Sequence, residues 1–331
     1  MKNNFSIAII AAFSFFILSS CGEDKPKEDK QHQDQVSKPL VPAPLFNSDS
    51  AYKFIEQQVA FGPRVPNTPA HQKCGSFLIS KLQSFADTLI VQEFQAKAFD
   101  GKMLNLKNIK ASFNLKAPKR ILLTAHWDSR PFADQDSINQ KSPILGANDG
   151  ASGVGVLIEI ARLLSENKKP NVGVDIILFD GEDYGQPEFY QGGQQYDSWC
   201  LGSQYWAKNK GTYTAYFGIL LDMVGGKDAK FGMEGTSMVY APSIVKRVWD
   251  IANRLGFGKH FIYQETAQIT DDHLYVNQIA KIPMIDIIEF DNSDGNYFGS
   301  YWHTHNDNMS VIDKNTLKAV GQTVLQTVYE E

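Results

Sequence analysis

The chain has 331 residues, enough for one large domain or two small ones, and its 43% hydrophobic content is that of an ordinary globular protein. A formal net charge of −5, with no block of basic residues, offers a nucleic acid no electrostatic footprint, so no nucleic-acid partner is expected. Three cysteines are too few for a disulfide framework.

Met1-Lys2-Asn3-Asn4 leads into an apolar stretch from Ile7 to Leu18, followed by Ser19-Ser20-Cys21. A short positive start, an apolar segment too short for a permanent span and small residues before a cut point predict a secretory signal over residues 1–20. Leu18-Ser19-Ser20-Cys21 resembles a bacterial lipobox, which implies lipidation of Cys21 and a chain tied to a membrane through that lipid alone. The expected location is the periplasmic side of a bacterial membrane. Glu23-Asp24 resembles the export signal of some Bacteroidetes-type lipoproteins, which points to the outer membrane. Residues 21–45 are charged, Gln- and Pro-rich and nearly free of aromatics, so they predict a flexible tether. Cys74 and Cys200 remain, and their pairing stays open at this level.

One folded domain is expected over 46–331, because neither repeats nor a second composition regime divide it. Helical spacing predicts helices over Ala51–Phe61 and Ala70–Phe85, with Ser48 or Asp49 and then Thr68 as caps. Leu89–Phe94 and Leu104–Phe113 read as strands. Arg120–Ala125 is a continuous apolar run, the mark of a strand covered on both faces. Ser152–Ser165 predicts a helix with Val156, Ile160, Leu163 and Leu164 on one side. Val172–Phe179 and Gly218–Leu221 are further buried strands, Ser243–Leu255 a helix, Met284–Phe290 another strand, and Asp313–Tyr329 a closing helix capped near Asp313. Strands and helices in this alternation predict an α/β fold with a mostly parallel sheet.

In such sheets the working residues collect beyond the carboxyl ends of strands. Four of the strands lead there into polar residues: His126-Trp127-Asp128, Asp180-Gly181-Glu182-Asp183, Asp222, and the loop that reaches Trp302-His303. Gly146-Ala-Asn-Asp149-Gly-Ala-Ser152-Gly precedes a helix start. Nitrogen and oxygen donors without thiolate suit a catalytic zinc that keeps a position open. A neighbouring carboxylate of the Glu182-Asp183 pair suits proton transfer. Ser152 lacks the second glycine of a nucleophile elbow, and there is no HExxH helix, phosphate loop or dinucleotide fingerprint.

The ordered set His126-x-Asp128, Asp149, Glu182-Asp183, Asp222 and His303 resembles the zinc-aminopeptidase-like hydrolases of the M28 type. Asp271-Asp272-His273 and the pair Trp302-His303 resemble, within that superfamily, the animal-type (type II) glutaminyl cyclases. The resemblance implies a single-domain α/β/α sandwich with a mixed, mostly parallel central sheet of the zinc-exopeptidase kind. It also implies conversion of N-terminal glutamine of peptides and proteins to pyroglutamate, with release of ammonia. It casts Asp149, Asp183 and His303 as ligands of one zinc per chain, Asp183 standing where animal enzymes commonly have glutamate. Glu182 becomes the proton shuttle, and Asp222 and Asp271 a hydrogen-bonded carboxylate pair beside the substrate amine. Trp302 and Trp199 become substrate-binding walls, Trp199 following an insertion from Gln186 to Asp197. The alternative is a two-zinc aminopeptidase, because His126 and Asp222 complete a second metal position with Asp149. A non-catalytic module on the same fold would have eroded ligands, and none is missing here.

Overall fold

The apolar runs of the sequence build a six-stranded sheet whose carboxyl-terminal half is parallel. Its strands are β1 (Thr88–Lys97), β2 (Met103–Phe113), β3 (Arg120–His126), β4 (Gly173–Phe179), β5 (Phe217–Asp222) and, numbered last in the chain, β8 (Met284–Ile288). They lie in the order β1-β2-β4-β3-β5-β8. β1, β2 and β4 pair antiparallel, whereas β4, β3, β5 and β8 run parallel to one another. The computed structural model describes residues 40–195, 197–291 and 297–331, and Leu40–Glu331 form one unit. The expected signal segment, Cys21 and the tether as far as residue 39 lie outside the described residues.

Alternation along the strands makes the sheet two-faced. Ile121, Leu123 and Ala125 of β3 join one core, while Leu122 joins another. The larger core is closed by α1 (Ser48–Val59), α2 (Pro69–Phe85), α3 (Ala151–Glu166), α6 (Pro242–Arg254) and α8 (Lys314–Glu330). The smaller core is closed by α4 (Leu201–Asn209) and by the π-turn Val276–Ala280 that continues α7 (Asp272–Tyr275). α5 (Gly235–Tyr240), a 3-10 turn at Met309–Val311 and a two-stranded parallel ribbon, β6 (Phe231–Met233) with β7 (Phe261–Glu265), complete the described elements. The result is an α/β/α sandwich. Among the described residues no helix is long and apolar enough to cross a membrane.

Several expectations shift in detail. Asn47, rather than Ser48 or Asp49, caps α1, its side chain accepting from the Ser50 amide at 3.1 Å. Thr68 and Asp313 cap α2 and α8 as their positions suggested. α3 is buried almost all round instead of on one side, because the sheet and the α1, α2 and α8 helices enclose it. Part of the stretch read as tether runs along α8: Gln326 donates to the Val41 carbonyl at 2.8 Å and Gln322 to that of Pro44 at 3.1 Å. Cys74 and Cys200 are buried and unbridged.

Candidate active site

Each parallel strand delivers polar residues at its carboxyl end. β3 ends in His126 and runs on to Asp128, β4 leads to Glu182 and Asp183, β5 ends in Asp222, and the segment beyond β8 carries Trp302 and His303. Asp149 comes from the loop into α3. Two glycines let that helix start close under the strands. A Cβ on Gly150 would stand 2.5 Å from the His126 ring, and one on Gly153 would stand 2.2 Å from the Leu221 carbonyl oxygen.

Asp149, Asp183 and His303 converge, with donor atoms all within 4.8 Å of one another. His303 Nε2 lies 3.7 Å from Asp149 Oδ2 and 3.5 Å from Asp183 Oδ1. Donors around one tetrahedral zinc stand about 3.3 Å apart, close to these separations. Burial, with the Asp149 carboxylate beside it, pushes Asp183 up to about 6, and its Oδ2 has no hydrogen-bond partner. A divalent cation would relieve both, so the residues present fit zinc.

The trio is braced from behind. Asp307 accepts from the amides of Asn148 at 2.7 Å and Asp149 at 3.1 Å. Asp128 accepts from those of Glu182 at 3.1 Å and Asp183 at 3.2 Å. Arg130 donates to Asp183 Oδ1 at 3.3 Å and forks onto Asp134 with two bonds of 2.6 Å. Asp134 in turn sits 3.2 Å from His303 Nδ1, which leaves Nε2 facing the other ligands. Burial works against the Asp134 charge, but Arg130 and His303 outweigh it and hold the carboxyl well below its usual range.

His126, Asp149 and Asp222 form a second convergent group. Here the spacing is that of direct hydrogen bonds: His126 Nε2 lies 3.0 Å from Asp149 Oδ1 and 3.1 Å from Asp222 Oδ1. Burial opposes a charged imidazole, but Asp222, Asp128 and Asp149 outweigh it and raise His126 well above its ordinary value.

Glu182 is buried beside Asp183, its Oε1 accepting from the Cys200 thiol at 3.2 Å. Burial lifts its carboxyl well above the usual range; His126 pulls against this, while Asp271, Asp183 and Asp272 add to it. Burial likewise pushes Asp222 up to about 7 against the pull of His126, with Asp149 and Asp271 contributing. Asp271 caps α7, accepting from the Asp272 amide at 2.5 Å. Asp222 and Asp271 both line the cavity described next; Asp222 lies 3.1 Å from His126 Nε2, and Asp271 gathers with His273 and Asp286 on one side and with Glu182 and Cys200 on the other.

Asp149, Asp183, His303, Glu182, Asp222 and Asp271 line a cavity of about 310 Å³ that includes both tryptophans. The Trp302 ring stacks on His303 at 3.7 Å, and that of Trp199 lies parallel to it at 6.0 Å. Trp199 returns across the insertion because Cys200 and Leu201 donate to the carbonyls of Glu182 and Gly181, both at 3.0 Å. The Arg130 guanidinium then lies 4.5 Å over its ring.

Residues 108–328 match the family model of peptidase family M28. The chain belongs to peptidase family M28. Among solved M28-like structures, the crystal structure of Bacteroides thetaiotaomicron glutaminyl cyclase bound to N-acetylhistamine has a TM-score of 0.85 at 52% identity, covering 88% of this chain and 100% of that one. A Zn-dependent exopeptidase from Parabacteroides distasonis gives the same four figures. The glutaminyl-peptide cyclotransferase of Dictyostelium discoideum is 27% identical over 363 residues, 94% of either chain.

The site of this M28 chain also contains residues that carry little or no signal in the sequence. Arg130 and Asp134 lie in an aperiodic loop, and their only signal is a basic and an acidic residue just after the His126-x-Asp128 motif. Asp286 was hidden inside the apolar strand Met284–Ile288. Cys200 gave no signal beyond its isolation.

Proposed function

We propose that this M28 chain is a glutaminyl-peptide cyclotransferase using one zinc ion. The observation that carries the reading is the contrast in spacing between the two convergent groups. His303 Nε2 stands 3.7 Å from Asp149 and 3.5 Å from Asp183, as donors around a cation do, whereas His126 Nε2 touches Asp149 and Asp222 at 3.0 and 3.1 Å. An aminopeptidase with a second zinc would need His126, Asp149 and Asp222 to open around it. The 52% identity to a glutaminyl cyclase supports the same reading.

Asp149, Asp183 and His303 would hold the zinc, which when bound supplies a Lewis acid for the γ-carbonyl oxygen of an N-terminal glutamine. Glu182, which lines the same cavity, takes a proton from the α-amine as that nitrogen bonds to the side-chain carbonyl carbon, Cδ. It returns that proton to the amide nitrogen, which leaves as ammonia when its carbon–nitrogen bond breaks. Asp222 and Asp271 hold the amine. Trp302 and Trp199 wall the side chain into one rotamer and keep water out, which is most of what an intramolecular attack requires.

Incubation of a Gln-initiated peptide should show loss of ammonia by mass, abolished by a chelator and restored by zinc. Glu182→Gln should retain zinc and lose about 100-fold or more in turnover; full turnover would overturn the shuttle role. Because the attacking amine must be uncharged, kcat/KM should fall about tenfold per pH unit below about 7.7. One tightly bound zinc supports the cyclase; two, with hydrolysis of leucine anilides, would replace it by the aminopeptidase. The lipobox reading places the enzyme on a membrane through Cys21, and Cys21→Ser should then release it into the soluble fraction.

A further inference from the structure

A second cavity, of about 480 Å³, adjoins the catalytic one and shares with it Gln186, Glu188, Trp199 and Thr270. The rest of its wall comes from the Gln186–Asp197 insertion, including Gln194 and Gln195. The insertion is held in place at both ends. Glu188 donates its amide to Asp134 Oδ2 at 3.2 Å, and the Gln186 amide donates to Ser198 Oγ at 3.1 Å. Across it, the Gln195 amide donates to Gln186 Oε1 at 2.8 Å. Asp134 also faces His303 at 3.2 Å, so the loop is anchored on the residue behind a proposed ligand.

The chemistry of the wall suits an extended peptide. Side-chain amides and the Thr270 hydroxyl offer both donors and acceptors to a backbone. Among the described residues, Glu188 is exposed and is the only charged residue lining this cavity. With the glutamine side chain and amine held in the first cavity, the rest of the substrate has to leave past its wall. The Trp199 wall leads into the second cavity.

We infer that the second cavity is the subsite for the residues following the N-terminal glutamine, and that Glu188 selects a basic side chain there. This rests on the cyclase reading. The test uses the zinc-loaded enzyme and paired peptides that differ only in Lys against Glu, at position two or at position three. In the wild type the kcat/KM ratio should favour Lys by about two- to fivefold at one of the two positions, the range of an exposed ion pair. The preference should shrink with added salt. Glu188→Gln should bring the ratio to about one, and Glu188→Lys should invert it. Because each ratio is taken within one enzyme, any loss of folded protein cancels. Cyclisation with a ratio identical in all three enzymes overturns the subsite and leaves the cyclase standing; no cyclisation of any peptide by the wild type overturns both.

Discussion

On the metal side of the cavity each buried carboxylate has a donor. Asp134 and Asp183 share Arg130, Asp149 meets His126, and Asp128 takes the Glu182 and Asp183 amides. By contrast, Asp271 and Asp272 press their charge on Glu182, Asp271 presses on Asp286, and neither Asp286 oxygen has a hydrogen bond, His273 Nδ1 standing 3.7 Å away. Burial, with Asp271, Asp222 and Glu234 adding their charge, pushes Asp286 well above the usual carboxylate range. The first arrangement keeps charge where a cation will sit. The second keeps protons where a proton has to be moved.

Cutting the metal side should do the most damage. Arg130→Met leaves Asp134 and Asp183 buried without their counter-charge, which should cost about 3–5 kcal/mol in urea unfolding and speed zinc loss to a chelator. Glu234, below the proton side, resembles the metal side in its bonding. It accepts from the Thr236 and Ser237 amides, both at 2.7 Å, and from His273 at 2.9 Å. Burial opposes its charge, but these partners hold it down to about 2. A depressed carboxyl stabilises fully above its unfolded value and loses that stability as pH falls toward about 2. Glu234→Gln should therefore cost about 2 kcal/mol at neutral pH, with the gap to wild type closing in acid.

Asp286→Asn should act in the opposite direction. A carboxyl raised in the fold costs nothing below its unfolded value and costs progressively more as pH climbs toward its folded one. The amide avoids that cost, so the variant should gain about 1 kcal/mol over wild type near pH 8 and nothing near pH 4. A loss at pH 8 would mean that the proton side needs the charge. The smallest effect is a negative one. Burial pushes Cys74 up to about 12 and Cys200, beside Glu182, well above its ordinary value, so iodoacetamide should label neither thiol before unfolding.

Much of the frame was legible because burial leaves a plain mark. Ile121–Leu123 and Ala125 carry an almost unbroken apolar run, the predicted strand Arg120–Ala125 falls short of the observed one by only His126, and Thr68 and Asp313 cap the helices that follow them. Short elements held by tertiary contacts left no such mark, α4, α5 and the β6–β7 ribbon among them. The site divides in the same way. Its chemistry-bearing residues stand at strand ends and in motifs that resemble a known family, so they could be named. Their bonds could not: no local pattern shows that Asp222 lies 3.1 Å from His126 Nε2.

The residues alone determined an α/β sheet and a set of nitrogen and oxygen donors along its carboxyl edge. The type and spacing of side chains suffice for that, since local periodicity reports which faces will be buried. Tertiary structure decided which donors stand at cation distance and which at hydrogen-bond distance, and it returned Trp199 to the cavity across an insertion. Those outcomes turn on separations of a few tenths of an ångström between segments far apart in the chain, set by packing that no local pattern encodes.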